Sequence, residues 1–318
     1  MTDSFTPQFD TNQRPSILTW IKRHRSGLLL WGRLIIAFAL MAFVVSLVLR
    51  DQDKLRSVNW TLIPFAWLLM LVSTAIKAYR WGLLIHQSHM DLPFRRLLGS
   101  YLVGAFFSTV LPTSVGGDAV RAVDTAASTG RVADSTSSVL IERGIGLLSV
   151  IGAGSLFALF LESGQVPLAF VLMIHALFVA GIVVLIVLRQ GWFMGPIAAL
   201  MRRVRLGKYV SKVNHLQAAF SSHLKQPGVL GAMLLLSIAA NALTMGATYL
   251  VLVAVTNPIG VGAFVPMIAL TTAAELIPIS PASLGVKESA YVFFLGLAGV
   301  GSGSAGVIAI IMRGLTWG

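Results

Sequence analysis

The stretch Leu111-Pro112-Thr113-Ser114-Val115-Gly116-Gly117-Asp118-Ala119-Val120-Arg121 breaks an otherwise apolar chain. It returns, altered, as Ile277-Pro278-Ile279-Ser280-Pro281-Ala282-Ser283-Leu284-Gly285-Val286-Lys287-Glu288. A second echo follows each copy, Val139-Leu140-Ile141-Glu142-Arg143-Gly144-Ile145-Gly146 against Ala309-Ile310-Ile311-Met312-Arg313-Gly314-Leu315. Two polar, proline- and glycine-broken segments at corresponding places in two halves read as a duplication. In a membrane chain, such paired interruptions point to the substrate site of a transporter.

The surrounding composition is that of a membrane chain. Hydrophobic residues make up 56% and charged residues only 11%, whereas soluble domains carry about a quarter charged residues; the mean hydropathy is +0.82. A spanning helix needs about 20 mostly apolar residues, and the runs at about 28–49, 61–85, 138–161, 167–188 and 229–255 meet that need. Residues 1–27 read as a basic cytoplasmic tail, with Arg14, Lys22, Arg23 and Arg25 leading into a run that lacks a cleavage site. Residues 28–318 read as one transmembrane domain, and no soluble domain follows.

The net charge of +12 reflects cations gathered in short loops, as the positive-inside rule requires of cytoplasmic loops, rather than a nucleic-acid surface. Seven lie in 189–226: Arg189, Arg202, Arg203, Arg205, Lys208, Lys212 and Lys225. Within it, 192–226 alternates basic and apolar residues and resembles an interfacial amphipathic helix. With the N-terminus inside, spans one and two return the chain to the cytoplasm at Arg95 and Arg96. The span at 138–161 must also start inside, because the loop after it carries no Lys or Arg. Segment 97–137 therefore enters and leaves on one side. Its apolar part, 97–111, makes about 22 Å of helix at 1.5 Å per residue, short of a hydrocarbon core of about 30 Å. A re-entrant hairpin satisfies both facts, and the same count makes 263–300 a hairpin from the outer side.

The predicted fold is thus an all-α polytopic membrane protein, an inverted repeat with two re-entrant helical hairpins, the repeat motifs lying at 97–146 and 263–315. Irregular backbone at that depth is tolerated only inside protein or beside a wet cavity. After Arg313 the last helix is short by about a dozen residues relative to its counterpart.

Ionised side chains in a membrane cost at least about 2.5–3.5 kcal/mol and need partners. Asp118 with Arg121, Glu142 with Arg143, and Lys287 with Glu288 suggest pairing within or between the hairpins. Lys77 and Arg80 sit near a span end and can snorkel to the interface, and the seven tryptophans fall mostly near span ends as an interfacial belt. The candidate substrate-binding residues are Pro112, Ser114, Gly116, Gly117, Asp118, Arg121, Glu142, Arg143, Pro278, Ser280, Gly285, Lys287, Glu288 and Arg313. In this set Arg121, Arg143, Lys287 and Arg313 attract an anionic head group, while Asp118, Glu142 and Glu288 shape or gate the site. Gly116, Gly117 and Gly285 let the backbone turn or approach a head group closely.

Zero cysteine excludes disulfides, thiolate metal sites and cysteine nucleophiles. Ser114, Ser280 and Ser283 have no histidine beside them to act as base. His86 and His89 lack further ligands, and His175 reads as a neutral, hydrogen-bonded intramembrane histidine, so neither a metal nor a cofactor is expected. No Gly-x-x-x-x-Gly-Lys-Ser/Thr loop is present for ATP.

At these motifs the chain resembles the flippase-like membrane domain of the lysylphosphatidylglycerol synthase/flippase family. The residues that carry the resemblance are Phe106 and Phe107 before Leu111-Pro112-Thr113-Ser114, then Gly116-Gly117-Asp118, Arg121 and Glu142-Arg143, then Pro278, Ser280, Gly285, Glu288 and Arg313. It extends over about residues 30–318. It implies an inner-membrane protein that moves a phospholipid, glycolipid or polyprenyl-linked lipid between leaflets. In family members with a soluble synthase domain, that domain makes aminoacylated phosphatidylglycerol; this chain shows no such domain, so aminoacyl transfer is not implied. The expected partners are membrane lipids, with a second copy or an envelope-biosynthesis protein as further candidates. Two rival readings are a membrane-embedded transferase on a lipid-linked substrate, with Asp118 or Glu288 as base, and a non-catalytic accessory subunit.

Overall fold

A computed structural model describes residues 17–111, 116–161, 166–191, 194–203, 210–277 and 279–317. The regular structure among them is helical. The first half holds α1 (Ile17–Arg50), the short α2 (Gln52–Arg56), α3 (Ile63–Gln87), α4 (Phe94–Val110), α5 (Gly116–Thr129), α6 (Val132–Ala158) and α7 (Leu168–Gln190). Then come α8 (Met194–Arg203), α9 (Val210–Leu224), α10 (Pro227–Val255), α11 (Val261–Ala274), α12 (Val286–Leu297) and α13 (Ser302–Trp317). In hydrocarbon every backbone N–H and C=O must be bonded within the chain, so long apolar runs become helices.

Among the described residues, five helices are long and apolar enough to cross a membrane: Trp31–Arg50, Trp60–Gln87, Val132–Ala158, Leu168–Gln190 and Pro227–Val255. They stand where the hydropathy places them. Their outer faces expose Ile35, Phe38, Leu172, Val183 and Leu235, the pattern of side chains that face acyl chains rather than water. Residues 1–16 of the expected tail lie outside the described residues, and α1 already begins at Ile17.

The helices approach closely through small residues, as membrane helices do. The α3–α10 contact is the most extensive in the bundle; Ala66, Ser73 and Ala78 of α3 and Ala240 and Ala247 of α10 are buried, and Ser73 donates to the Ala240 carbonyl at 2.8 Å. At Gly154 of α6, an added Cβ would lie 2.4 Å from Ile174 of α7 and 2.5 Å from Ala269 of α11, so α6 seats two neighbours on one glycine. The apolar side of α9 is not laid on lipid. Phe220 and Leu224 are buried with Leu84 of α3, Ile141 and Ile145 of α6 and Met233 of α10.

Contacts at the two ends of the bundle fix where the short helices enter. At one end, where α3 stops and α6 and α10 start, Arg131 donates to the Ser88 carbonyl and Gln87 donates to Ser222 of α9 at 3.2 Å. The pair α4–α5 leaves from Ser88 and returns to Arg131, so it begins and finishes at this end. At the opposite end the Asn59 amide donates to Ala254 at 2.8 Å, and Gly303 abuts Asp51. The pair α11–α12 begins just after Ala254 and finishes just before Gly303, so it enters from there.

Within the first pair, Gly104 faces Gly117 and Ser100 donates to Asp124; partners rise in number on α5 as they fall on α4, so the two helices are antiparallel. With 17, 14, 14 and 12 residues, these four helices are each too short, at about 18–26 Å, for a core of about 30 Å.

Candidate functional site

At the crossing of α4 and α5, Gly104 and Gly117 let the two helices approach closely. A Cβ on Gly117 would lie 1.9 Å from the Gly104 carbonyl oxygen, and one on Gly104 would lie 2.6 Å from the Arg121 stem. That close crossing delivers Asp118, at the start of α5, and Arg121, one turn on, to the middle of the bundle against α6. There Arg121 lies between two rings, its guanidinium carbon 4.4 Å from the Trp81 ring centre and 4.2 Å from that of Tyr101. Its nitrogens reach Glu142 at 3.3 Å and Asp118 at 3.5 Å. Glu142 also accepts from Arg80, and Asp118 from Arg143. The result is a continuous chain of charges, Arg80–Glu142–Arg121–Asp118–Arg143, running from the buried interior toward a cavity.

The second half supplies a similar arrangement. The tip of the α11–α12 hairpin is wound tightly: Ala282 and Ser283 have φ of 50° and 52°, and Gly285 has φ of 76°. Non-glycine residues hold that conformation only where their surroundings over-determine it. Here Ser280 and Ser283 donate to Leu284 and Glu275 carbonyls at 2.7 and 3.1 Å. A Cβ on Gly285 would meet Leu40 of α1 at 2.5 Å, so a larger residue fails there on both conformation and space. Glu288 closes the turn by accepting from the Gly285 amide at 2.8 Å. Arg313 of α13 then ties Glu288 to the tip, donating to Glu288 and to the Ala282 and Ser283 carbonyls at 3.3 and 3.2 Å. Lys287 pairs with Glu275 at 3.1 Å.

Both clusters open on one cavity of about 480 Å³. Asp118, Arg121 and Arg143 line one wall, and Glu275, Ser283, Lys287 and Arg313 the other; α3 adds Lys77 and Thr74, and α4 adds Tyr101 and Ser108. Arg143, Lys287 and Arg313 present 29%, 18% and 12% of their side chains, while Arg80, Arg121 and Glu142 are sealed at 3–4%. The former can meet a ligand, and the latter set the geometry. The rim includes the exposed apolar residues Trp67, Leu71 and Leu102.

Of the residues singled out from sequence, Asp118, Arg121, Arg143, Lys287 and Arg313 line the cavity, and Glu142, Glu288 and Ser280 support it from behind. Gly116 and Gly117 are buried in the hairpin crossing, and Gly285 lies at the second tip. Pro112, Ser114 and Pro278 lie outside the described residues. Of the three pairs that short spacing suggests, Asp118 with Arg121 forms at 3.5 Å, while the two between adjacent residues are replaced by others. Glu142 reaches Arg80 and Arg121, Lys287 reaches Glu275, and Glu288 reaches Arg313, because neighbours i and i+1 on a helix point to different faces.

Lys77 and Arg80 do not snorkel. They share the inward face of α3 with Ser73 and Leu84, Lys77 donating to Thr244 of α10 at 3.2 Å. The i, i+4, i+7, i+11 spacing puts these four residues on one face of α3, and the packing of α3 on its neighbours turns that face inward. Trp81, read as part of an interfacial belt, is fully buried and donates to Ser138 at 3.1 Å. His175 bonds the Val171 carbonyl at 2.7 Å through Nδ1. Among the described residues there is no group of three His, Asp or Glu that could hold a metal.

The fold and this cavity define a multi-pass membrane protein whose charged core lies where two short-helix hairpins meet. The chain belongs to the family described as the lysylphosphatidylglycerol synthase TM region, which matches residues 23–318. It is similar to a UPF0104 membrane protein of Methanothermobacter thermautotrophicus, 22% identical over 307 residues, 89% of this chain and 90% of that protein. No solved structure matches the chain.

Proposed function

We propose that this protein moves an amphipathic lipid between the leaflets of the inner membrane, with its N-terminus and the α8–α9 region on the cytoplasmic side. The head group occupies the charged cavity while the acyl chains stay in the bilayer. The observation that carries this reading is the cavity itself, about 480 Å³, charged on two facing walls and rimmed by exposed Trp67, Leu71 and Leu102. Charged side chains inside a membrane are expensive, and where they surround a space rather than fill it, that space is a candidate pathway.

The halves read as an inverted repeat, and two regularities support this. Val286 and Ser302, which open α12 and α13, follow Gly116 and Val132, which open α5 and α6, by 170 residues each (286 less 116, 302 less 132). The two hairpins also enter from opposite ends of the bundle. In such transporters one half rocks against the other around a site near the midplane.

The test is leaflet-to-leaflet movement of fluorescent phosphatidylglycerol and a polyprenyl-phosphate analogue in proteoliposomes, at equal folded protein. Movement above empty vesicles that falls in Arg143→Ala supports the proposal. Absence of movement of both lipids by correctly folded protein contradicts it.

A further inference from the structure

The charges around the cavity do not balance. Six cations, Lys77, Arg80, Arg121, Arg143, Lys287 and Arg313, stand with four carboxylates, Asp118, Glu142, Glu275 and Glu288. Six less four leaves two positive charges. One excess charge belongs to the linked chain Arg80–Glu142–Arg121–Asp118–Arg143, in which two carboxylates serve three arginines. The other belongs to the cavity and centres on Lys77. Among the described residues no carboxylate oxygen lies within the 4.0 Å of an ion pair from its ammonium, and the bond that it makes is to the Thr244 hydroxyl. Lys77 is half-buried and faces the cavity from α3, with Lys287 and Arg313 on the other wall.

An ammonium taken out of water without a counter-charge is costly, whereas paired charges at the same depth are tolerated. Four of the five cations that line the cavity already have carboxylates, so a ligand anion gains most at Lys77. A zwitterionic head group brings no net charge. A cationic aminoacyl head group adds to an existing excess and is repelled.

We infer that the cavity recognises a doubly charged phosphate head, a phosphomonoester or a diphosphate on a lipid, and that Lys77 is the residue that selects it. This rests on the lipid-moving reading for its setting, but it is tested separately from it, by binding.

The experiment titrates the purified wild type in nonionic detergent with dioctanoyl phosphatidic acid, phosphatidylglycerol, phosphatidylcholine and lysyl-phosphatidylglycerol, and with inorganic pyrophosphate. Binding is followed by the thermal shift of the protein. One uncompensated charge near the head group should give phosphatidic acid a preference of about tenfold or more over phosphatidylcholine, with lysyl-phosphatidylglycerol weakest. Lys77→Gln should shrink that preference to about threefold or less, and Lys77→Arg should restore it.

Pyrophosphate that competes with phosphatidic acid would support a site driven by the phosphate alone. Phosphatidic acid that binds without pyrophosphate competition would support recognition of the phosphate on a lipid. Equal or tighter binding of phosphatidylcholine or lysyl-phosphatidylglycerol overturns the inference, as does an unchanged order in Lys77→Gln. The wild-type order decides even if the variants fail to fold. Movement of the same lipids in vesicles is scored independently: preference without movement keeps the charge assignment and removes the transport reading, and movement without preference does the reverse.

Discussion

Arg143 donates to Asp118, the residue 25 positions before it, and Arg313 donates to Glu288 across the same interval. In each half the acid stands at the third position of a short helix, Gly116-Gly117-Asp118 in α5 and Val286-Lys287-Glu288 in α12. The arginine comes from the helix that follows. Each pair therefore staples a hairpin to the next helix at the edge of the cavity. Glu288 is sealed at 1% exposure, where removing one partner of an ion pair strands the other.

Glu288→Gln should lower stability by about 3–5 kcal/mol, the loss typical of a half-broken buried pair. Glu288→Met with Arg313→Met should lose less than the sum of the single changes by at least about 1 kcal/mol. Recovery should stop short of wild type, because Arg313 also holds the Ala282 and Ser283 carbonyls. Equilibrium unfolding in mixed micelles measures both, and strict additivity would contradict the pairing.

Gly117→Ala should cut the yield of folded protein severely, since its Cβ would lie 1.9 Å from the Gly104 carbonyl oxygen. Gly99→Ala, on the same helix as Gly104 but with open space around it, should leave yield unchanged. Size-exclusion profiles of the two variants give the comparison.

Arg121→Lys should behave as a loss rather than a conservative change. A lysine cannot stack between Trp81 and Tyr101 while reaching both Glu142 and Asp118, because it lacks the planar fork of guanidinium. Lipid movement should fall about tenfold or more if a displacement of the Asp118–Arg143 pair reaches the cavity wall. Unchanged movement would show that the stack does not position that wall.

His223 gives a pH dependence outside the membrane spans. Burial pushes its pKa below the usual histidine range, and nearby Asp134 opposes that shift without reversing it. The folded state thus holds the imidazole neutral more strongly than the unfolded chain does. Its contribution to stability is full above the ordinary histidine range and is lost as pH falls through and below it. Thermal denaturation between pH 8 and pH 5 should show this loss, and His223→Gln should flatten the profile over the same range.

The spans were legible because run length alone separates a crossing helix from a shorter one; 97–111 and 263–277 were too short, and both became hairpin helices. The clustering of Asp118, Arg143, Glu288 and Arg313 could be suspected from the repeated motif. What adjacency in sequence could not supply was which charge faces which. Glu142 lies beside Arg143 in the chain, yet its ion pairs run to Arg80 on α3 and Arg121 on α5, helices brought to it by tertiary packing. Lys77 and Arg80 were hidden for a different reason. Near a span end, snorkelling and burial have the same sequence signature, and only the packing of α3 on α10 and α6 decides between them.

The most direct measurement uses the natural absence of cysteine. Ser108→Cys and Ser283→Cys place one thiol from each half on the cavity lining, and a short bismaleimide joins the walls. If lipid passes between them, the unbridged double variant moves fluorescent lipid in proteoliposomes and the bridged protein does not. Movement at the same rate in both would show that the lipid takes a path other than this cavity.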